Sequence, residues 1–239
     1  MAAALLNLYF KRYENCIIAL SGGSDSAVIA KLAAEHLGAE NVLAVTFEAP
    51  HIFWYQTENA RKLARHLDIK WENRKLPVDD AEILAGTPER CYLCKRAMMH
   101  ALTELAIERG YDAVFDGTNI DDTSEHRPGL KALEEYGIRS PLLENNLGDQ
   151  FVIEEAAKIA EEADLSFHDE SCIATRVEGM ADIPMLRRIE REEDALRERF
   201  PGIRLKTGEN GTFVRFKKPM ALKLDDFTDI GDALERIKG

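Results

Sequence analysis

The sequence predicts an α/β fold, a parallel sheet with helices on both faces, followed by a small C-terminal α+β region. Short apolar, β-branched runs alternate with amphipathic stretches from residue 16 to residue 163. A turn of small residues, Ser21-Gly22-Gly23-Ser24-Asp25-Ser26, joins the first run to the first stretch. After Cys172 the texture changes to one charged helix and a hairpin pattern.

The run 16–20 reads as a buried strand. Residues 27–37 read as the helix behind it, with Val28, Leu32 and Leu37 on the apolar side and Gly38 just beyond. Residues 42–47 give a second strand, 57–67 a second helix and 69–74 a third strand. The alternation continues with a helix over 96–109, a strand over 113–116, and helices over 129–135 and 153–163. Crossovers between parallel strands are right-handed by default. Pro184 opens a charged helix, and Phe200-Pro201-Gly202 stops it. Residues 203–206 and 212–216 read as a hairpin around 208–211, and 229–237 as a final helix. The expected division is 1–165 for the larger domain and 166–239 for the smaller.

The 239 residues carry a formal net charge of −12. Such a chain repels nucleic acid unless basic residues gather on one face, which favours a small-molecule substrate. No run reaches the ~18–20 apolar residues of a membrane span. The N-terminus lacks the long apolar core of a signal peptide. The expectation is a cytoplasmic protein with no membrane partner.

The turn 21–26 lies between a strand and a helix, where unpaired N–H groups and the helix dipole favour an anion. Two glycines let the backbone approach a phosphate, and three hydroxyls add donors. Asp25 is repelled by phosphate unless it bridges to Mg²⁺ or caps the helix. The glycine–lysine–serine/threonine ending of a Walker A loop is missing, which suggests that pyrophosphate is held and released. Asp116 closes a predicted strand, where ligands gather in open α/β sheets, and Gly117 and Thr118 follow it.

Cysteines supply the second signal. Cys16 sits in an apolar strand and reads as packing. Cys91 and Cys94 are three positions apart beside Arg90, Lys95 and Arg96, whose charges favour thiolates. Cys172 is the third candidate. Three converging thiolates would suit a [4Fe–4S] cluster with one iron open. The alternatives are a zinc site using a histidine such as His168 and a metal-free redox pair. Arg176 could hold a phosphate, and Arg204 and Lys206 alternate on one strand face.

Ser21–Ser26 resembles the PP-loop of the ATP pyrophosphatase superfamily, whose fold is adenine nucleotide α-hydrolase-like. The wider pattern resembles the LarE family of ATP-dependent sulfur transferases. Its marks are Arg90-Cys91-Tyr92-Leu93-Cys94-Lys95-Arg96, Asp116-Gly117-Thr118-Asn119 and Arg127-Pro128-Gly129. Arg139-Ser140-Pro141-Leu142 and Cys172-Ile173-Ala174-Thr175-Arg176 complete the set.

The resemblance implies an enzyme that binds ATP and Mg²⁺ through Ser21, Gly22, Gly23, Ser24, Asp25, Ser26, Asp116, Gly117 and Thr118. It implies adenylation of a small-molecule carboxylate, a pyridinium dicarboxylate mononucleotide, and sulfur insertion for nickel-pincer cofactor synthesis. Asp25, Cys172 and Arg176 are the implied catalytic residues. Cys91, Cys94 and Cys172 are the implied ligands of a [4Fe–4S] cluster fed by a sulfide donor, and a homo-oligomer is expected. An arginine pair that binds the substrate phosphate in the family corresponds to Arg204 and Lys206, the second being a departure. Val177-Glu178-Gly179-Met180 is another departure, where the family continues with Ile-Pro and an aromatic–glycine pair. The rival readings are a PP-loop tRNA thiolase and a non-catalytic nucleotide- or cluster-binding sensor.

Overall fold

The structure is a computed structural model that describes residues 2–77, 79–124, 128–168, 171–216 and 219–238. Arg127 of the family-like motif, and Asp169 and Glu170 ahead of Cys172, lie outside the described residues. The strands are β1 (Cys16–Ala19), β2 (Val42–Glu48), β3 (Lys70–Lys75), β4 (Ala113–Phe115), β5 (Ile203–Gly208) and β6 (Gly211–Phe216). The early helices are α1 (Ala2–Phe10), α2 (Ser24–Leu37), α3 (Trp54–His66), α4 (Asp80–Leu84) and α5 (Arg90–Arg109). The later ones are α6 (Leu130–Glu135), α7 (Pro141–Glu144), α8 (Asp149–Ala163), α9 (Ile183–Arg197) and α10 (Leu224–Lys238).

The chain divides into two compact units. The first comprises Met1–Glu48, Trp54–Val78 and Cys91–His168, and the second Ala49–Phe53, Asp79–Arg90 and Asp169–Gly239.

The first unit is a parallel sheet of order β3-β2-β1-β4 flanked by helices. Cys16 pairs with Val42 on one side and Ala113 on the other, which makes β1 central. β1 and β2 are buried along nearly their whole length, as strands covered on both faces must be. This explains their unbroken apolar runs. β3 is an edge strand of Lys70, Trp71, Glu72, Asn73, Arg74 and Lys75, and its charges discourage further pairing. Beyond β4, Phe115 bridges to Arg139 in parallel, so the segment after α6 extends the sheet.

The core gathers Ile18, Leu20, Val28, Ile29, Leu63 and Phe115, all at most 1 % exposed. Each such side chain contributes on the order of 1.5–3 kcal/mol. Cys16 is fully buried, and burial pushes its thiol pKa up, with the charge of Asp112 adding to the rise.

The N-terminal stretch, which carries no strong helical period, forms α1 and buries Leu6, Tyr9 and Phe10. Phe10 and Tyr13 meet the Phe115 ring edge-on at 5.6 and 5.0 Å. α2 begins at Ser24, inside the small-residue turn, and α5 begins at Arg90, so the Cys91–Cys94 pair is helical.

In the second unit, β5 and β6 form an antiparallel hairpin with Ile203 opposite Phe216 and Gly208 opposite Gly211. Ile203 and Leu205 are buried on the face that α9 and α10 cover. The Phe200 and Phe216 rings meet at 6.4 Å, and Arg199 pairs with Asp226 and Asp229 of α10. A 3-10 turn, Ile173–Arg176, leads to Val177, which bridges to Thr207 of β5.

Candidate active site

The small-residue turn leaves β1 at its carboxyl end and becomes the first turn of α2. Leu20 N–H donates to the Val45 carbonyl at 2.9 Å, which carries the sheet ladder to the lip of the turn. Gly22 has φ +82, and a methyl group there would stand 1.9 Å from the Gln56 carbonyl oxygen of α3. Only glycine meets both constraints. Asn59 of α3 donates to the Gly22 carbonyl at 3.4 Å and to the Ser166 carbonyl at 2.9 Å, pinning the loop from below.

The hydroxyls hold the loop's own shape. Ser26 Oγ donates to the Gly23 carbonyl at 3.1 Å and accepts from Ser21 N–H at 3.2 Å. Ser21 Oγ accepts from Gly23 N–H at 3.3 Å. Gly23 is the N-cap residue of α2 and supplies no side-chain cap. The first-turn N–H groups of Ser24, Asp25 and Ser26 therefore point out of a helix end without an internal side-chain acceptor. Asp25 Oδ1 accepts from Asn119 Nδ2 at 2.7 Å, and Oδ2 from Ser24 Oγ at 3.2 Å. A carboxylate offers about four acceptor positions, so Asp25 retains capacity for a cation such as Mg²⁺.

Asp116 behaves differently. It is 3 % exposed, and four donors reach it. They are Ser140 Oγ at 2.6 Å, Thr118 Oγ1 at 2.7 Å, Lys95 Nζ at 3.1 Å and Thr118 N–H at 3.2 Å. Burial alone pushes the carboxyl pKa up. The Lys95 charge and the hydrogen bonds from Ser140, Thr118 and Lys95 outweigh it and hold the group below the ordinary aspartate value. Gly117 is pressed onto the start of α2, where a β-carbon would lie 2.7 Å from Ser26 N and 2.9 Å from Asp25 Cβ. The Asp116-Gly117-Thr118 segment and the small-residue turn are thus one surface. Asn119 extends it by donating to Asp149 at 3.1 Å, while Asp122 and Asp121 accept from the Asn119 and Asp149 backbone amides.

Cys91 is exposed and Cys94 half-buried. Three residues apart on α5, they are neighbours on one helix face. Cys172, also half-buried, belongs to the second unit. Among the described residues, no three His, Cys, Asp or Glu side chains are grouped to hold a metal ion. The described residues of the first unit supply two adjacent thiols, short of the three that a [4Fe–4S] cluster with one open iron takes.

In the second unit Cys172 precedes the 3-10 turn, whose Ile173 N–H donates to the His51 carbonyl at 3.0 Å. Arg176 is fully buried. Its Nε reaches Glu193 Oε1 at 2.8 Å, its Nη2 reaches Oε2 at 3.2 Å, and its Nη1 reaches Ser171 Oγ at 3.0 Å. Glu193, equally buried, also accepts from Leu205 N–H at 2.9 Å. This arrangement fixes the backbone beside Cys172. Nothing in the sequence pattern links Arg176 to Glu193, which lies 17 residues on.

Arg204 and Lys206 share one face of β5, and the register sets Arg215 opposite Arg204 and Phe213 opposite Lys206. Burial lowers the Lys206 pKa, and the charges of Arg215, Arg176 and Arg204 lower it further against the pull of Glu178. Like charges directly opposite on a sheet are destabilising, so this face suits an anion. At the start of α3, Trp54 is 58 % exposed, whereas Tyr55 is buried with its ring edge-on to His168 at 5.2 Å. Sequence reasoning passed over Lys95, Ser140 and Asn59 as site residues. The first two stand inside the family-like motifs.

One family model and three relatives bear on this geometry. The family model described as NAD synthase matches residues 7–87, the span that holds the small-residue turn. An uncharacterized protein of Methanocaldococcus jannaschii is 32 % identical over 232 residues, covering 95 % of this chain and 88 % of that one. An uncharacterized protein of Synechocystis is 36 % identical over 140 residues, covering 58 % of this chain and 52 % of that one. The pyridinium-3,5-bisthiocarboxylic acid mononucleotide synthase of Lactiplantibacillus plantarum is 34 % identical over 142 residues, covering 59 % of this chain and 51 % of that one. The chain thus spans about half the length of the last two. Among the described residues, no helix is long and apolar enough to cross a membrane.

Proposed function

Since the chain belongs to the LarE-type family of PP-loop proteins, we propose that it is an ATP-dependent sulfur transferase. In this reading it adenylates a substrate carboxylate, releases pyrophosphate and replaces the activated oxygen with sulfur. The observation that carries the reading is the uncapped first turn of α2, framed by Gly22, Gly23 and the Asp116-Gly117-Thr118 segment. Oriented N–H groups there favour the charge that develops on phosphate oxygens as pyrophosphate leaves. The substrate carboxylate attacks the α-phosphorus, the bond to the pyrophosphate breaks, and an acyl adenylate results. A sulfur nucleophile then attacks the activated carbonyl carbon and expels AMP.

The proposed roles follow the geometry. Ser21, Gly22, Gly23, Ser24 and Ser26 hold the phosphates, and Asp25 holds Mg²⁺ with its remaining acceptor positions. Asp116, Gly117 and Thr118 form the adjoining wall. Arg204 and Lys206 receive a phosphate of the acceptor. Arg176 positions the Cys172 turn from within. The acceptor is a pyridinium dicarboxylate mononucleotide or a close relative, which the synthase of L. plantarum supports by its name. Cys91, Cys94 and Cys172 are the proposed ligands of a [4Fe–4S] cluster, and a sulfide donor supplies the sulfur. Such a cluster, when bound, offers an open iron to an added sulfide.

The test is incubation of the anaerobically purified chain with MgATP, sulfide and pyridinium-3,5-dicarboxylate mononucleotide, read by mass spectrometry. The expected product gains one sulfur for one oxygen, and Cys172→Ala abolishes it. An unchanged acceptor, with ATP intact, would remove the reading. Iron and sulfide content of the same preparation tests the cluster, with about four irons per chain expected.

A further inference from the structure

The small-residue turn lacks the lysine that a Walker A loop carries, yet α5 of the same unit sets a lysine on Asp116, next to the Gly117 that packs against the turn. Lys95 lies one turn beyond Cys91 on α5, and its ammonium meets Asp116 at 3.1 Å. Asp116 is continuous with Gly117, whose backbone touches the α2 N-terminus at Asp25 and Ser26. The lysine stem passes the Gly129 backbone, where a β-carbon would lie 3.5 Å from Lys95 Cβ and 3.6 Å from Cγ. Stem and head are therefore both held.

The two partners of this ion pair are satisfied unequally. Asp116 has about four acceptor positions, and Ser140, Lys95 and Thr118 (through two atoms) fill them. A fifth donor or a metal ion finds no open lone pair there. Lys95 has three N–H donors, and Asp116 is its one acceptor among the described residues. Its side chain remains 33 % exposed. A buried carboxylate thus holds a partly accessible ammonium beside the segment that packs against the anion-binding turn.

Resting on the nucleotide-binding reading above, we propose that Lys95 is a phosphate-binding cation of this site, with Asp116 as its positioning residue rather than a metal ligand. The ammonium takes the place of the missing loop lysine and binds the β,γ-phosphates that leave together as pyrophosphate. Ser140 acts through Asp116 by occupying the oxygen that Lys95 does not contact. The same face of α5 carries Cys91 and Cys94, so the thiol pair and the phosphate cation share one rigid helix.

The test is calorimetric binding of inorganic pyrophosphate and of MgATP to the full chain, with adenosine as the uncharged probe. Lys95→Met should weaken pyrophosphate and MgATP binding roughly ten- to a hundredfold, the value of one charge-assisted contact. It should leave adenosine binding unchanged. Lys95→Arg, which keeps the charge, should restore most of the loss. Should Lys95→Met fold poorly because Asp116 is left unpaired, Lys95→Met with Asp116→Asn removes both charges and should show the same selective loss. Wild-type pyrophosphate affinity in either variant overturns the proposal, as does equal loss of pyrophosphate and adenosine binding. If the wild-type chain binds neither pyrophosphate nor MgATP, the nucleotide reading fails first and takes this inference with it.

Discussion

Two ion pairs, one in each unit, are built on buried carboxylates and end in opposite ways. In the first unit Asp116 is closed on every side, while the ammonium of Lys95 is partly exposed and makes one contact among the described residues. In the second, Arg176 and Glu193 are both fully buried, and the guanidinium fork is occupied by Glu193 and Ser171. A pair closed at both ends fixes architecture, here the turn that carries Cys172 and its link to β5. A pair closed at one end holds a charge ready for something else. The sites differ because the first sits on a helix N-terminus that no side chain caps, where an anion is already favoured.

The largest expected effect breaks the closed pair. Glu193→Ala leaves Arg176 buried beside Arg197 without its carboxylate and should cost about 3–5 kcal/mol in denaturant unfolding. A loss below about 1 kcal/mol would mean that the pair behaves like a surface contact. Gly22→Ala comes next. A positive φ and a carbonyl oxygen 1.9 Å from the new methyl should cost on the order of 1–3 kcal/mol and abolish ATP binding as the loop leaves α3. Retained ATP affinity would show that the loop's approach to Gln56 is dispensable.

Ser140→Ala sharpens the open pair. Losing one hydrogen bond to a buried carboxylate should cost about 1.5–3 kcal/mol, measured by thermal or denaturant unfolding, and weaken MgATP binding through a less fixed Lys95. The smallest effect is a pH dependence. Asp116 titrates below the ordinary aspartate value in the folded chain, so its contribution is full above that value and is lost as the pH falls through the lower folded one. Below about pH 4, wild-type stability should therefore fall more steeply than that of Asp116→Asn. Parallel curves would show that the pair does not stabilise the charged form.

Local patterns in the sequence foretold the elements whose physics is local. β1 and β2 are central strands buried on both faces, so their apolar runs are continuous, and the double glycine between strand and helix marks a backbone that must come close to Gln56. The helix starts were less legible. The first turn of α2 is written in serine and aspartate, which read as loop, and the first turn of α5 is written in cysteines that read as chemistry. α1 lacks a one-sided apolar stripe, yet Leu6, Tyr9 and Phe10 bury themselves against the sheet. The pairings at the site were not legible at all. Lys95 and Asp116 are 21 residues apart, and Arg176 and Glu193 are 17 apart, so no periodicity connects them. Arg176 reads as a phosphate ligand in its motif and lies wholly buried in the fold.

The bond of ATP that breaks is the most direct measure of the central claim. Radiolabelled ATP, incubated with the chain, Mg²⁺ and pyridinium-3,5-dicarboxylate mononucleotide, should give AMP and pyrophosphate in equal amounts, and only when the carboxylate is present. ADP with inorganic phosphate would contradict the account, because it would place the reaction at the γ-phosphate and leave no adenylate for sulfur to attack.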